Sequence, residues 1–143
     1  MKVFVDINIF MDILEKRNGW KASLALVQLV RTGRIKGFIS ALTPPIIYFL
    51  RLKFSEDEKV RKDTKKIISG FSIVPLTEDL LMKSFEERRI KDFEDAIQFH
   101  SAKISSQVLI TRNKKDFTEV IGEIEVLTPE EFFKKYGDKI LGS

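Results

Sequence analysis

The sequence predicts an α/β fold of three layers, α/β/α. A central, mainly parallel sheet of four to five strands carries helices on both faces. Three observations predict it. Short apolar runs alternate with longer segments of helical periodicity throughout the chain. The opening run KVFVD is apolar and β-branched up to its last residue, as a strand buried on both faces is. Helix boundaries are marked by Gly33, Gly70 and the pairs Thr43-Pro44 and Thr128-Pro129. At 143 residues with 43% hydrophobic and 32% charged side chains, residues 1–143 are expected to form a single domain around one core.

The elements follow in order. Residues 2–6 are the first, central strand, and 8–16 a short helix with Ile9, Ile13 and Leu14 available for packing. Apolar residues at helical spacing predict a helix over 20–33, stopped by Gly33. Residues 36–40 (KGFIS) are a second strand. Thr43 is a good N-cap and Pro44 suits the first helical position, so 44–53 is a helix. A charged helix from about 56 to 69 ends at Gly70. Strand 71–75 and helix 78–89 come next. Residues 93–105 form a helix with an apolar stripe through Phe93, Ala96, Ile97 and Ile104. VLIT at 108–111 is a fourth strand and IEVL at 124–127 a short fifth. Thr128, Pro129 and Glu131 open a last helix over 128–136 with a capping box.

Composition narrows the function. The chain has no cysteine and one histidine, which excludes disulfides and cysteine catalysis and disfavours zinc. No apolar stretch approaches the about 20 residues that span a bilayer, and Asp6 and Asp12 interrupt any signal-peptide core, so a cytoplasmic protein is expected. The net charge of +4 is modest, but basic residues cluster over 51–66, 83–91 and 112–115. Such groups either attract a polyanion or form solvated helix faces. Neither a G-x-x-x-x-G-K-[ST] loop nor a G-x-G-x-x-G turn is present.

Three acidic clusters carry the chemistry: Asp6 with Asn8 and Asp12, Asp92 with Asp95, and Asn113 with Asp116. The first and third lie at or just past the end of a buried strand, where open parallel sheets bind ligands. Converging carboxylates there would make an all-oxygen site suited to Mg²⁺ or Mn²⁺ and phosphate chemistry. Asp6 either holds a metal, the favoured reading, or caps the helix after it. Asp12 supports the pocket or is solvated. The Asp-x-x-Asp of Asp92 and Asp95 reads as a capping pattern, with Asp95 also able to face the crevice. Glu94 is expected to point to solvent. Asn113 and Asp116 are site residues or turn formers. Arg112 contacts a phosphate or is simply exposed, and Lys115 is a second candidate for the substrate backbone.

Taken in order, FVDINIFMDIL, KDFEDAIQFHSA, VLITRNKKDF and the closing VLTPEEFF resemble the PIN domain, the nuclease fold of VapC-type toxins and of several RNA-processing enzymes. The resemblance covers nearly the whole chain. It implies Mg²⁺ or Mn²⁺ and hydrolysis of RNA phosphodiesters, with Asp6, Asp95 and Asp116 catalytic. It implies Asp6, Asp95, Asn113 and Asp116 at the metal, and support from Asn8 and Thr111. It also implies an antitoxin partner and a homodimer. One position departs from the pattern: the family's Thr-x-x-Glu falls on Thr43-Pro44-Pro45-Ile46, which replaces a carboxylate by hydrocarbon. Asp92 or Asp12 would then compensate. The alternatives are a catalytically degenerate PIN-like module that binds RNA or protein, and a phosphatase on a similar fold.

Overall fold

The computed structural model describes residues 1–142. Five strands, β1 (Lys2–Val5), β2 (Lys36–Ser40), β3 (Ser72–Val74), β4 (Val108–Ile110) and β5 (Glu125–Leu127), form one sheet in the order β3-β2-β1-β4-β5. Every neighbouring pair is parallel, so the mainly parallel expectation becomes all-parallel. β1 is central, registered Val3 to Gly37 on one side and Val3 to Val108 on the other.

The pleat divides the core in two. Val3, Val5, Val108 and Ile110 face a cluster built with α1 (Ile7–Glu15), α2 (Trp20–Arg31) and α7 (Pro129–Leu141). Phe4 and Leu109 face the opposite cluster, which includes Leu80 of α5 (Glu78–Phe85) and Phe99 of α6 (Phe93–Ser105). Successive side chains of a strand point to opposite faces, so a strand apolar at every position demands helices on both sides. α3 (Thr43–Arg51) and α4 (Asp57–Ile67) pack together along the chain between β2 and β3. Gly37 allows a tight layer: a Cβ there would meet Val30 and Phe71 at 2.7 Å. Among the described residues no helix is long and apolar enough to cross a membrane.

Local chemistry explains where boundaries moved. α3 begins one residue before the expected position, because Leu42 is already in right-handed helical geometry and its N–H donates to Ser40 Oγ. Thr43 is therefore inside the helix rather than its cap, and its hydroxyl is buried without a partner. α5 stops at Phe85 rather than 89: Glu87 turns back to accept from the Arg89 backbone N–H and guanidinium, while Ile90 is buried. Of the stripe expected on α6, Ala96 and Ile97 are buried but Phe93 and Ile104 are exposed. Residues 114–120 form a 3₁₀ helix where a turn was expected. Phe117 and Val120, three apart, both reach the core from it, as the three-residue period of that helix requires. α7 has its capping box and runs on to Leu141.

Candidate functional site

The order of strands places the site. The chain winds outward from β1 to β3 on one side, then returns to add β4 and β5 on the other. The gap beyond the carboxyl ends of β1 and β4 is the point where winding reverses, the usual ligand crevice of such sheets. Asp6 follows β1 and Thr111 follows β4. Their backbone N–H groups continue the ladder, Asp6 to Ile110 O and Thr111 to Leu127 O, both at 3.0 Å.

Asp6 is 2% exposed, and the Thr111 hydroxyl donates to its Oδ2 at 2.8 Å. The Asn113 N–H in turn donates to Thr111 Oγ1 at 3.1 Å. Asp6 stands at the N-cap position of α1 but its side chain makes no capping bond. No cation pairs with it among the described residues. Burial pushes its carboxyl up to about 6, against the opposing hydrogen bonds from Thr111 and Ile7, with the charges of Glu94 and Asp116 adding to the rise.

Asp95 sits in the first turn of α6. Asp92 caps that helix, its Oδ1 accepting from Asp95 N–H at 3.0 Å. Desolvation first, then the charges of Asp6, Asp92, Asp116 and Glu94, push Asp95 up to about 7. Glu94 is half-buried rather than solvated, and desolvation followed by Asp92 raises it as well. Asp92, Asp95, Asp116 and Glu119, with Arg89, Lys91, Lys115 and Thr118, line a crevice of about 370 Å³. The structure thus brings Asp6, Asp92, Asp116 and Glu94 within electrostatic reach of Asp95, and Asp116 and Glu94 within reach of Asp6.

Other expected site residues go elsewhere. Arg112 is not an open phosphate ligand. Its guanidinium donates to Asp12 Oδ2 at 2.7 Å, Glu130 Oε1 at 2.8 Å, Gly19 O at 2.6 Å and Ser23 Oγ at 3.1 Å. Asp12, 4% exposed, is thereby neutralised within the fold and does not serve the crevice. Gly19, at φ +85°, lets the guanidinium approach; a Cβ there would meet it at 2.7 Å. Asn8 accepts a long 3.5 Å bond from Arg17, and among the described residues its side chain forms no hydrogen bond with Asp6 or Thr111. Asn113 contributes its backbone rather than its side chain to the Thr111 relay. Ile46 packs against the hydrophobic core. His100 bonds Glu87 at 3.0 Å, in a network with Arg89 and Glu123. The partners of Arg112 lie across the fold, where no local pattern marks them.

The donor set is all oxygen and negatively charged, which fits a hard divalent cation. Among the described residues no three carboxylates or histidines already form a closed metal cage.

Fold and crevice together define an all-parallel α/β protein with an acidic pocket at its switch point. The PIN domain profile matches residues 2–115, and the chain belongs to the PIN domain family. It is 30% identical over 140 residues to Ribonuclease VapC1 of Aquifex aeolicus (strain VF5), covering 94% of this chain and 95% of that one. Among solved structures it is similar to a toxin–antitoxin complex from Klebsiella pneumoniae, at 25% identity and TM-score 0.66, over 89% of this chain and 97% of that one. VapBC-1 from nontypeable Haemophilus influenzae shares the fold at TM-score 0.69 and 16% identity, over 91% and 99% of the two chains.

Proposed function

We propose that this protein is a divalent-metal-dependent endoribonuclease that hydrolyses RNA phosphodiesters as the toxin of a toxin–antitoxin pair. The observation that carries the reading is the pairing of two strained carboxylates at the switch point: Asp6, buried with only a hydroxyl and a backbone N–H for partners, beside Asp95, raised to about 7. Carboxylates raised by desolvation, Asp95 also by the charge of Asp6, are relieved by a cation. Likeness to a VapC ribonuclease and to toxin–antitoxin complexes supports the RNA substrate and the antitoxin partner.

Asp6 and Asp95 would hold Mg²⁺ or Mn²⁺, with Asn113 and Asp116 at the rim. When bound, such an ion neutralises charge developing on the phosphoryl oxygens and activates water. Thr111 fixes the Asp6 carboxylate, and Asp92 fixes the first turn that carries Asp95. Lys91 and Lys115, which line the crevice, would hold the RNA backbone. One domain over the described chain, a cytoplasmic site of action and a homodimer belong to the same reading.

The test is cleavage of labelled single-stranded RNA with Mg²⁺, with Mn²⁺ and with EDTA, comparing wild type and Asp95→Asn. Metal-dependent cleavage lost in the variant is the expected result. Ile46, hydrocarbon packed against the core where the family pattern has a carboxylate, favours a second reading: a non-catalytic module whose RNA or protein binding survives both EDTA and Asp6→Asn.

A further inference from the structure

Beside the acidic crevice lies a second surface that the catalytic reading leaves unused. Phe85, at the end of α5, and Phe93, at the start of α6, stack with centroids 4.4 Å apart and planes 18° from parallel. Both rings are open to solvent, 58% and 42% exposed. They wall a groove of about 330 Å³ together with Ile90, Arg88 and Lys91. Lys91 also lines the acidic crevice, and Phe93 is the neighbour in sequence of Asp92 and lies two residues from Asp95. Arg88 and Lys91 form no ion pair among the described residues, whereas Arg89 between them is committed to Glu87 and Glu123.

A stacked, part-exposed aromatic pair flanked by cations without ion pairs, next to the acidic crevice, matches what single-stranded nucleic acid requires. Bases stack on aromatic rings while cations follow the backbone. Glu87 also lines the groove but is paired with Arg89 and His100, so an apolar protein partner would use the rings and leave Arg88 and Lys91 desolvated without a counter-charge of their own. We propose that Phe85 and Phe93 form a base-stacking subsite for an unpaired RNA nucleotide next to the scissile phosphate, with Arg88 and Lys91 holding the adjoining backbone. This rests on the ribonuclease reading above and specifies its substrate as single-stranded at that position.

A duplex cannot satisfy the subsite, because its bases are already stacked on one another. An abasic nucleotide cannot either, since it has no ring to offer. The experiment measures the Kd of a labelled 12-nucleotide single-stranded RNA in EDTA by fluorescence anisotropy, and KM for its cleavage in Mn²⁺. Wild type, Phe85→Ala, Phe93→Ala and Phe93→Tyr are compared, on intact RNA and on RNA with abasic positions. Expected are a roughly tenfold rise in Kd or KM for each alanine variant, recovery in Phe93→Tyr, and no effect of the alanine changes on abasic RNA. Melting temperatures should stay near wild type, because both rings are exposed. Unchanged Kd and KM in folded alanine variants overturn the subsite while leaving the nuclease reading intact. Variants that keep RNA affinity but lose a co-purifying antitoxin make the face a protein dock and also overturn it. No binding and no cleavage by wild type removes both readings together.

Discussion

The Thr111 hydroxyl donates to Asp6 Oδ2 at 2.8 Å, joining residues 105 apart in sequence across the point where the winding of the sheet reverses. It is the side-chain hydrogen bond that holds the buried carboxylate, and it also ties the β4 loop to β1. Thr111→Val keeps the shape and removes the donor. Asp6 then rises further above about 6, and the variant loses about 1–3 kcal/mol of stability at pH 8. Carboxyl-carbon NMR titration and urea unfolding measure the two effects. An unmoved Asp6 would show that the hydroxyl is not its controlling partner.

The raised carboxylates also set how stability depends on pH. Asp6 at about 6 and Asp95 at about 7 bind protons more tightly folded than unfolded, where 3.8 is the reference. Their contribution is therefore fully present below about pH 4 and is lost as pH rises through 6 and 7. Glu87, lowered to about 2, works in the opposite sense, but only in acid. His100, lowered by burial, opposes the carboxylates below its ordinary 6.5. Between pH 6.5 and 8 the falling carboxylate contribution dominates among these groups. In EDTA the melting temperature should fall across that window. Asp95→Asn should remove most of the slope, and Mg²⁺ should flatten it in wild type. A slope unchanged by Asp95→Asn sinks this account.

Arg112 behaves as a structural clasp. It joins the loop after β4 to Asp12 of α1, to Gly19 and Ser23 at the start of α2, and to Glu130 of α7. Arg112→Ala leaves the buried Asp12 charge unpaired and should cost about 3 kcal/mol in chemical denaturation. Arg112→Lys should recover only part of that, because an ammonium cannot span four acceptors in the plane of a guanidinium. Replacing Asp12 and Arg112 together by leucine should recover more than lysine does. A destabilisation below about 0.5 kcal/mol in Arg112→Ala would make the clasp ornamental.

Glu94 supplies charge to the crevice without lining it. Its carboxylate helps raise both Asp6 and Asp95. Glu94→Gln should lower both of those values and weaken Mn²⁺ binding several-fold, read by titration calorimetry. Unchanged affinity would show that its field does not reach the ion.

The strand and helix alternation was legible in the sequence because each element carries its own signal. KVFV is apolar on both faces, and Thr128 with Glu131 writes out a capping box. Asp6 at the end of a buried strand was legible for the same local reason. What escaped depends on distant partners. Arg112 reads as a surface cation until Asp12, 100 residues earlier, is folded against it. Glu94 reads as solvated because an acid in a first helical turn is ordinarily explained by the helix dipole. The 3₁₀ helix hides in TRNKKDF, whose polar residues favour a turn, and only the burial of Phe117 and Val120 reveals its period. The stacked pair of Phe85 and Phe93 spans a loop and leaves no mark on either segment alone.

Ile46 puts the departure from the family pattern to a direct test. If the position merely lost a carboxylate, Ile46→Glu should restore one to the crevice, tighten Mn²⁺ binding and leave stability alone. The packing argues otherwise. Ile46 lies against a core that includes Ile47, Ile9 and Phe10, and the hydroxyl of neighbouring Thr43 is already buried without a partner. Ile46 is partly buried against that core, so a charge introduced there loses part of its hydration. The expected outcome is a loss of about 1–3 kcal/mol at pH 8, smaller at pH 5 where the new carboxyl can bind a proton, with Mn²⁺ affinity unchanged. Denaturant titrations at the two pH values and calorimetry with Mn²⁺ separate the cases. A tighter Mn²⁺ site at full stability would mean that α3 can present this position to the crevice. Asp6, after β1, and Asp95 of α6 would then be only part of the chain's capacity to hold an ion.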